Sequence, residues 1–207
     1  IAFSKDSKRL YAVTSGGLRA WKIGTDPTSD RLRSERLELP GGGVRLFHDP
    51  PTAAISPDGE RWLTVAMDPR TRRLSWIHGR FDSSAFEFTQ GSIPESISPE
   101  ISPDGRWLAW GNWHGRNAVA AVARLGTNGS AVEFSVGGSA RVAFSPDNRL
   151  LAVGGPTDIR FLEVGTWRTL HTVPRRPTIQ LPPQFAFSGD SSLCAVASPP
   201  DRVMLIS

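Results

Sequence analysis

The stretch Ile101-Ser102-Pro103-Asp104-Gly105 decides the fold, because versions of it occur five times in the 207 residues of this chain. The other four versions are Phe3-Ser4-Lys5-Asp6-Ser7, Ile55-Ser56-Pro57-Asp58-Gly59, Phe144-Ser145-Pro146-Asp147-Asn148 and Phe187-Ser188-Gly189-Asp190-Ser191. Successive serines stand 43 to 52 residues apart. A period of roughly 40–50 residues is typical of solenoid and propeller proteins. The repeat therefore predicts one array of similar units.

Each version of the stretch predicts a tight turn. Proline presets φ at the first turn position, and the serine and aspartate side chains can bond nearby backbone groups. Gly59 and Gly105 can adopt a positive φ, and Asn148 tolerates one better than most residues. Ser7 and Ser191 are poorer substitutes, so we expect looser turns there. The turn would join two antiparallel strands as a hairpin.

Short apolar runs follow every turn and predict strands. The second strands are expected at Leu10-Tyr11-Ala12-Val13, Trp62-Leu63-Thr64-Val65, Trp107-Leu108-Ala109-Trp110, Leu150-Leu151-Ala152-Val153 and Leu193-Cys194-Ala195-Val196. A third apolar segment follows in each unit, and a weaker fourth segment in four of them. No stretch has a sustained helical period of apolar residues. Four strands in each unit of roughly 45 residues predict the blade of a β-propeller.

Two stretches resemble known propeller repeats. Val142-Ala143-Phe144-Ser145-Pro146-Asp147, with the strands after it, resembles a WD-repeat blade of a degenerate bacterial type. Residues 99–110 resemble the propeller repeat of the Tol system. The resemblance implies an all-β propeller of about five four-stranded antiparallel blades, the first and last incomplete. The expected units are 1–50, 51–96, 97–138, 139–182 and 183–207. A closed ring of five and a segment of a larger ring both fit.

The chain departs from the WD repeat at the residues that give the repeat its name. Trp21 precedes Lys22 and Trp76 precedes Ile77, so the Trp-Asp pair is missing, as is the Gly-His pair before the first strand. In the family these residues build a side-chain hydrogen-bond network. We therefore expect this network to be missing here, with the blades held together by packing and backbone ladders.

Composition narrows the classes of function. The net charge is +4, and the basic residues are not concentrated in the stripe that nucleic-acid binders show, so we do not expect a nucleic-acid partner. Cys194 is the single cysteine and lies in an apolar run, which predicts a buried structural thiol. No apolar run approaches the ~20 residues of a membrane-spanning helix. We expect a soluble chain and favour a cytoplasmic location.

Catalytic and metal-binding patterns are missing from the sequence. His48, His78, His114 and His171 have no metal-ligand spacing, and no G-x-S-x-G motif occurs. The repeated aspartates are interpreted as turn residues rather than as a catalytic pair, and most tryptophans as core residues. The sequence thus predicts neither an enzyme nor a cofactor or metal site.

Three loops are the candidate binding surface, because the repeat register places them on one rim of the propeller. One combines an aromatic ring, an imidazole and a guanidinium, and the other two are rich in arginine, which suits acidic peptides or phosphate groups. The candidate residues are Trp113, His114, Arg116, Arg70, Arg72, Arg175 and Arg176.

The functional prediction is a non-catalytic scaffold for a protein or peptide partner, and an acidic partner is one that the arginine-rich loops would suit. Similar degenerate arrays occur at the C-terminus of larger bacterial signalling proteins. Two alternatives stay open: the gating propeller of a serine peptidase, which flanking G-x-S-x-G would identify, and a periplasmic ligand-binding sensor, which an upstream signal peptide would support.

Overall fold

The computed structural model describes residues 2–3, 7–14, 17–25, 32–37, 53–56, 61–67, 74–80, 86–89, 96–112, 119–127, 130–175, 182–198 and 202–207. These residues form nineteen strands and no helix. The chain divides into two compact units, Ile1–Ile93 and Pro94–Ser207. Whether both units belong to a single domain of residues 1–207 stays a prediction.

The first unit contains two four-stranded antiparallel sheets, each in chain order. The first sheet comprises β1 (Ala2–Phe3), β2 (Arg9–Thr14), β3 (Gly17–Thr25) and β4 (Leu32–Leu37). The second comprises β5 (Ala53–Ile55), β6 (Arg61–Met67), β7 (Leu74–Arg80) and β8 (Phe86–Thr89).

The second unit contains three more antiparallel sheets, also in chain order. The third sheet comprises β9 (Ser96–Ile101), β10 (Trp107–Asn112), β11 (Val119–Arg124) and β12 (Val132–Ser135). The fourth comprises β13 (Arg141–Phe144), β14 (Leu150–Gly154), β15 (Asp158–Glu163) and β16 (Thr169–Pro174). The fifth comprises β17 (Gln184–Phe187), β18 (Cys194–Ser198) and β19 (Arg202–Ile206).

This arrangement confirms the predicted all-β propeller architecture. Consecutive strands pair as neighbours within each sheet, as in a propeller blade. Among the described residues, the first sheet opens on a strand of two residues and the last sheet has three strands.

The sheets of the second unit stack through alternating apolar side chains. We call the face of a sheet that meets the following sheet its front face, and the opposite one its back face. The front face of the third sheet and the back face of the fourth share one core. Its buried members are Ala109, Ala120, Val122, Val136, Ala140, Val142, Phe144, Leu151, Val153 and Leu162. Each fully buried Leu, Val or Phe contributes about 1.5–3 kcal/mol relative to an exposed one.

A second core joins the fourth and fifth sheets. The front face of the fourth supplies Ala152, Ile159 and Phe161, and the back face of the fifth supplies Cys194 and Val196. Burial raises the pKa of the Cys194 thiol to about 11. The predicted structural role of this cysteine is confirmed.

The repeated stretch forms the expected hairpin turn. The Ser102 amide donates to the Trp107 carbonyl over 2.9 Å, and the Gly105 amide donates to the Ser102 carbonyl over 2.8 Å. Gly105 and Asn148 adopt φ values of 67° and 60°. Ser191 has φ 61°, and its turn has bonds of 2.9 Å like those around Asn148, so the expectation of a looser turn at Ser191 is wrong. Gly59 lies outside the described residues.

The repeated turns build a side-chain hydrogen-bond network of their own, in addition to the packing and backbone ladders that were expected to hold the blades together. Ser102 Oγ donates to Asp104 Oδ1 over 2.6 Å and accepts from the Trp107 amide over 2.9 Å. Asp104 Oδ1 also accepts from the Arg106 amide over 3.0 Å. The turns at Ser145 and Ser188 repeat this pattern. The aspartates of these three turns therefore have a structural role.

The turn network also crosses between sheets. Asn148 Nδ2 donates to Asp104 Oδ2 over 2.9 Å, which joins the fourth sheet to the third. The Asp147 amide donates to Ser191 Oγ over 3.0 Å, which joins the fourth sheet to the fifth. Side chains of the repeated stretch thus link the fourth sheet to both of its neighbours.

Candidate interaction rim

The sheets of the second unit have two distinct ends. The turn end carries the repeated turns and the connections between third and fourth strands. These lie side by side, because the Val164 amide, just after β15, donates to the carbonyl of Arg149, just before β14, over 3.0 Å. The opposite end, which we call the loop rim, carries the connections between second and third strands and between successive sheets. There the Arg175 amide donates to the Thr157 carbonyl over 2.7 Å.

Arg175 is the one candidate binding residue that the described part of the chain includes. It follows β16 on the loop rim and is partly buried. Its Nη1 donates to the Gly155 carbonyl, so the guanidinium connects the end of β16 to the loop after β14. Burial lowers its pKa, and its buried Nε has no hydrogen-bond partner among the described residues. Arg175 therefore has a structural role at the loop rim, besides any role in binding.

The other six candidates, Trp113, His114, Arg116, Arg70, Arg72 and Arg176, lie outside the described residues. The strands that flank them are described, as the loop of Trp113, His114 and Arg116 illustrates. β10 ends at Asn112 and β11 begins at Val119, and Gly111 pairs with Ala120 as Gly154 pairs with Ile159 in the fourth sheet. The ends of β10 and β11 thus have the same pairing as the ends of β14 and β15, which residues 155–157 connect. A role in binding stays a prediction for all seven candidates.

Sequence reasoning missed a polar group at the inner edge of the sheets, where β13 lies beside β9 and β17. Arg141 Nη1 donates to Gln184 Oε1 over 2.7 Å, which joins the first strands of the fourth and fifth sheets near the loop rim. Burial lowers the pKa of Arg141, opposed by the charge of Glu100. The signal was present, because Arg141 and Gln184 both stand four residues before the serine of the turn, in strands that are otherwise apolar.

Glu100 is the titratable member of this group. It is partly buried on β9, two residues before Ser102. Burial raises the pKa of its carboxyl to about 7, against the opposing charge of Arg141. The chain thus keeps a carboxyl at the inner edge that is largely protonated below neutral pH.

The interpretation of the tryptophans as core residues holds for those with described side chains. Trp62 and Trp110 are buried, Trp21 is partly buried, and Trp107 packs edge-on against Trp167 with ring centroids 4.9 Å apart. His171 is exposed beside the ring of Phe161. Within the described part of the chain, no cluster of three histidine, cysteine or acidic residues is suited to hold a metal ion.

Comparison with solved structures shows the fold. The chain is similar to Sqt1 of Chaetomium thermophilum, with a TM-score of 0.64, 17% identity, and coverage of 96% of this chain and 53% of that one. It is similar to a putative TolB of Agrobacterium tumefaciens, with a TM-score of 0.64, 16% identity, and coverage of 94% and 67%. It is also similar to hydrazine synthase of Kuenenia stuttgartiensis, with a TM-score of 0.58, 16% identity, and coverage of 94% and 53%.

These similarities support a propeller of the Tol and WD type. Because the sequence identities are so low, they show the fold alone and not the function. No protein-family model and no curated protein sequence matches the chain. The chain spans about half the length of the Sqt1 and hydrazine synthase chains. In the described residues, no helix has the length and apolar character needed to cross a membrane. The cytoplasmic location expected from the sequence gains no support from these comparisons.

Proposed function

We propose that this chain is a non-catalytic module that binds a protein or peptide through the loop rim. The propeller architecture carries the proposal, since its strands form a rigid scaffold and its connecting loops are free to vary and to bind. The architecture is shared with the structures of TolB and Sqt1, which supports an interaction role. We also propose that the module belongs to a larger bacterial signalling protein.

The favoured partner is acidic. Arg70, Arg72, Arg175 and Arg176 fall in connections of the type that forms the loop rim, and arginine binds carboxylates through paired hydrogen bonds. Trp113 adds an aromatic side chain of the kind that anchors many interfaces. Arg175 Nη1 donates to the Gly155 carbonyl, so a partner would be bound by the other nitrogen atoms of its guanidinium.

The non-catalytic part of the proposal depends on the chemistry of side chains, because one similar structure is an enzyme. Asp104, Asp147 and Asp190 each accept hydrogen bonds inside their own turns. Cys194 is buried with a raised pKa, which disfavours the thiolate that a nucleophile needs. These residues fit a structural role.

Affinity capture with Trp113→Ala tests the proposal. The tagged chain is incubated with lysate of the source organism, and the bound proteins are compared between variants. We expect Trp113→Ala to weaken capture of the partner and to leave the melting temperature unchanged. Arg149→Ala is the matched control, because Arg149 is exposed at the turn end. A fall in melting temperature with unchanged capture would show that Trp113 is a structural residue.

A further inference from the structure

Glu100, Arg141 and Gln184 stand on the first strands of three successive sheets, where β13 lies beside both β9 and β17. We call these three residues the inner-edge group. All of them lie in the second unit, Pro94–Ser207, so the group is formed within one compact unit. Its neighbours in the strands are apolar, since Ile101 and Val142 are buried. Charged side chains in such surroundings need partners of opposite charge or hydrogen-bond partners.

The Glu100 carboxyl has no hydrogen-bond or ion-pair partner among the described residues. Glu100 pairs with Ala109, which lies in the core between the third and fourth sheets, so its side chain is directed toward the fourth sheet. Burial raises the pKa of the carboxyl to about 7, against the opposing charge of Arg141. Carboxyls with pKa values shifted in this way are frequent at functional sites.

Arg141 and Gln184 supply hydrogen-bond donors beside this carboxyl. Arg141 Nη1 donates to Gln184 Oε1 over 2.7 Å, and Arg141 Nε is buried without a hydrogen-bond partner in the described part of the chain. Arg141 is partly exposed and Gln184 is exposed. Since Gln184 bonds Arg141 through its oxygen, its amide nitrogen has two hydrogens left to donate. A ligand at this edge would therefore meet donors from Arg141 and Gln184 and an acceptor from Glu100.

The charges of the inner-edge group restrict the ligand that fits. Glu100 and Arg141 interact electrostatically, yet the described residues include no ion pair between them. A simple anion would be repelled by Glu100, and a simple cation by Arg141. A ligand with both charges avoids this conflict, because its carboxylate accepts bonds from a guanidinium and its ammonium donates to a carboxylate. A free α-amino acid carries both groups on one carbon atom.

We propose that the inner-edge group binds a free α-amino acid. Glu100 accepts from the α-ammonium, and Arg141 and Gln184 donate to the α-carboxylate. The site lies on first strands rather than on connecting loops, so it goes beyond the protein-binding function proposed for the loop rim and does not depend on it.

Isothermal titration calorimetry of the full chain tests the proposal, with each of the common protein amino acids as a separate probe. The titrations are made at pH 8, above the pKa of Glu100, so that its carboxyl is ionised. At least one amino acid should bind. Its amide, which lacks the carboxylate, and its N-acetyl form, which lacks the ammonium, should both lose binding. Failure of every amino acid to bind, or equal binding of these derivatives, would overturn the proposal.

Glu100→Gln and Arg141→Gln test the residues. Each should weaken binding of that amino acid at least about tenfold, because a hydrogen bond between charged groups is worth more than one tenfold step in affinity. Glu100→Gln removes a partly buried carboxyl and is expected to fold at least as stably as the unaltered chain at pH 8. Loss of binding in this variant would therefore come from the lost carboxylate and not from unfolding.

Glu133→Gln and Arg149→Gln are the matched controls, because Glu133 and Arg149 are exposed on β12 and at the turn end. Both should bind the amino acid like the unaltered chain. Unchanged affinity in Glu100→Gln, or the same loss in Glu133→Gln as in Glu100→Gln, would contradict the assignment of the site.

Discussion

Asn148 Nδ2 donates a hydrogen bond to Asp104 Oδ2 over 2.9 Å, between two turns that are 44 residues apart in the chain. Asn148 holds its side chain there because it adopts a φ of 60°, a conformation that Asn tolerates better than most residues. The Asp104 carboxyl also accepts from Ser102 and from the Arg106 amide. Burial raises the pKa of Asp104, but these bonds and the Arg106 charge outweigh it, so that its pKa is lowered.

Asn148→Ala should destabilise the chain more than Asn148→Gly. Alanine loses the bond to Asp104 and also has the steric cost of positive φ, which together amount to about 2 kcal/mol. Glycine loses the same bond but relieves the backbone, so its stability should stay within about 1 kcal/mol of the original. Urea denaturation midpoints measure both changes. Equal losses would show that the backbone conformation at this position has no cost.

Gly105→Val should be among the most damaging changes in a turn. Gly105 has φ 67°, and a β-branched residue in that conformation costs on the order of 1–3 kcal/mol. Gly189→Val is the matched control, because Gly189 does not have a positive φ and a Cβ there would meet no atom within 4 Å. The melting temperature should fall for Gly105→Val and change little for Gly189→Val. The reverse order would contradict the turn geometry.

Arg175→Ala should lower stability. The change removes the bond from Nη1 to the Gly155 carbonyl, and hydrogen bonds of charged groups contribute about 1.5–3 kcal/mol before allowance for solvent. Because Arg175 is partly exposed, solvent screening reduces this contribution, so we expect the free energy of unfolding to fall by about 1 kcal/mol. Arg149→Ala is the control at the turn end. An unchanged melting temperature for Arg175→Ala would show that the guanidinium is free to bind a partner.

Glu100→Gln should stabilise the chain at alkaline pH. Burial raises the pKa of folded Glu100 to about 7, from an ordinary value of 4.5. Below pH 4.5 the carboxyl is protonated in both states. As pH rises from 4.5 to 7 the unfolded chain ionises first, so the free energy of unfolding falls.

Glutamine cannot ionise, so the advantage of Glu100→Gln should be small at pH 4 and larger at pH 8. Glu133→Gln, at an exposed position on β12, is the control for the change from a carboxyl to an amide. Denaturation at the two pH values measures the difference. An advantage that does not grow with pH would contradict the burial of this carboxyl.

The repeat made the architecture predictable, because turns and strand pairing are local. Ser102, Asp104 and Gly105 lie next to each other in sequence, so their turn could be inferred from residue types alone. The bond between Asn148 and Asp104 could not, since it requires two sheets to stack in a particular register. Arg141 and Gln184 were missed for the same reason. They lie far apart in sequence, and only the packing of the neighbouring first strands β13 and β17 brings their side chains together.

The faces of the last strand could be inferred only in part. The pleat and register of β19 place Val203 and Leu205 on one face and Met204 and Ile206 on the other. The loop residues Trp113, His114 and Arg116 could be placed in a loop but not assigned a partner, because a repeat predicts where a loop begins and ends but not what it binds.

Capture of a partner by a rim variant tests the central claim most directly. The variant replaces Trp113, His114 and Arg116 by alanine and Arg70, Arg72, Arg175 and Arg176 by glutamine. A control replaces Arg106, Arg149 and Arg168, exposed arginines at the turn end, by glutamine. The account predicts that, with folding confirmed by circular dichroism, the unaltered chain and the control capture the same acidic protein while the rim variant does not. An identical set of bound proteins for all three would contradict it.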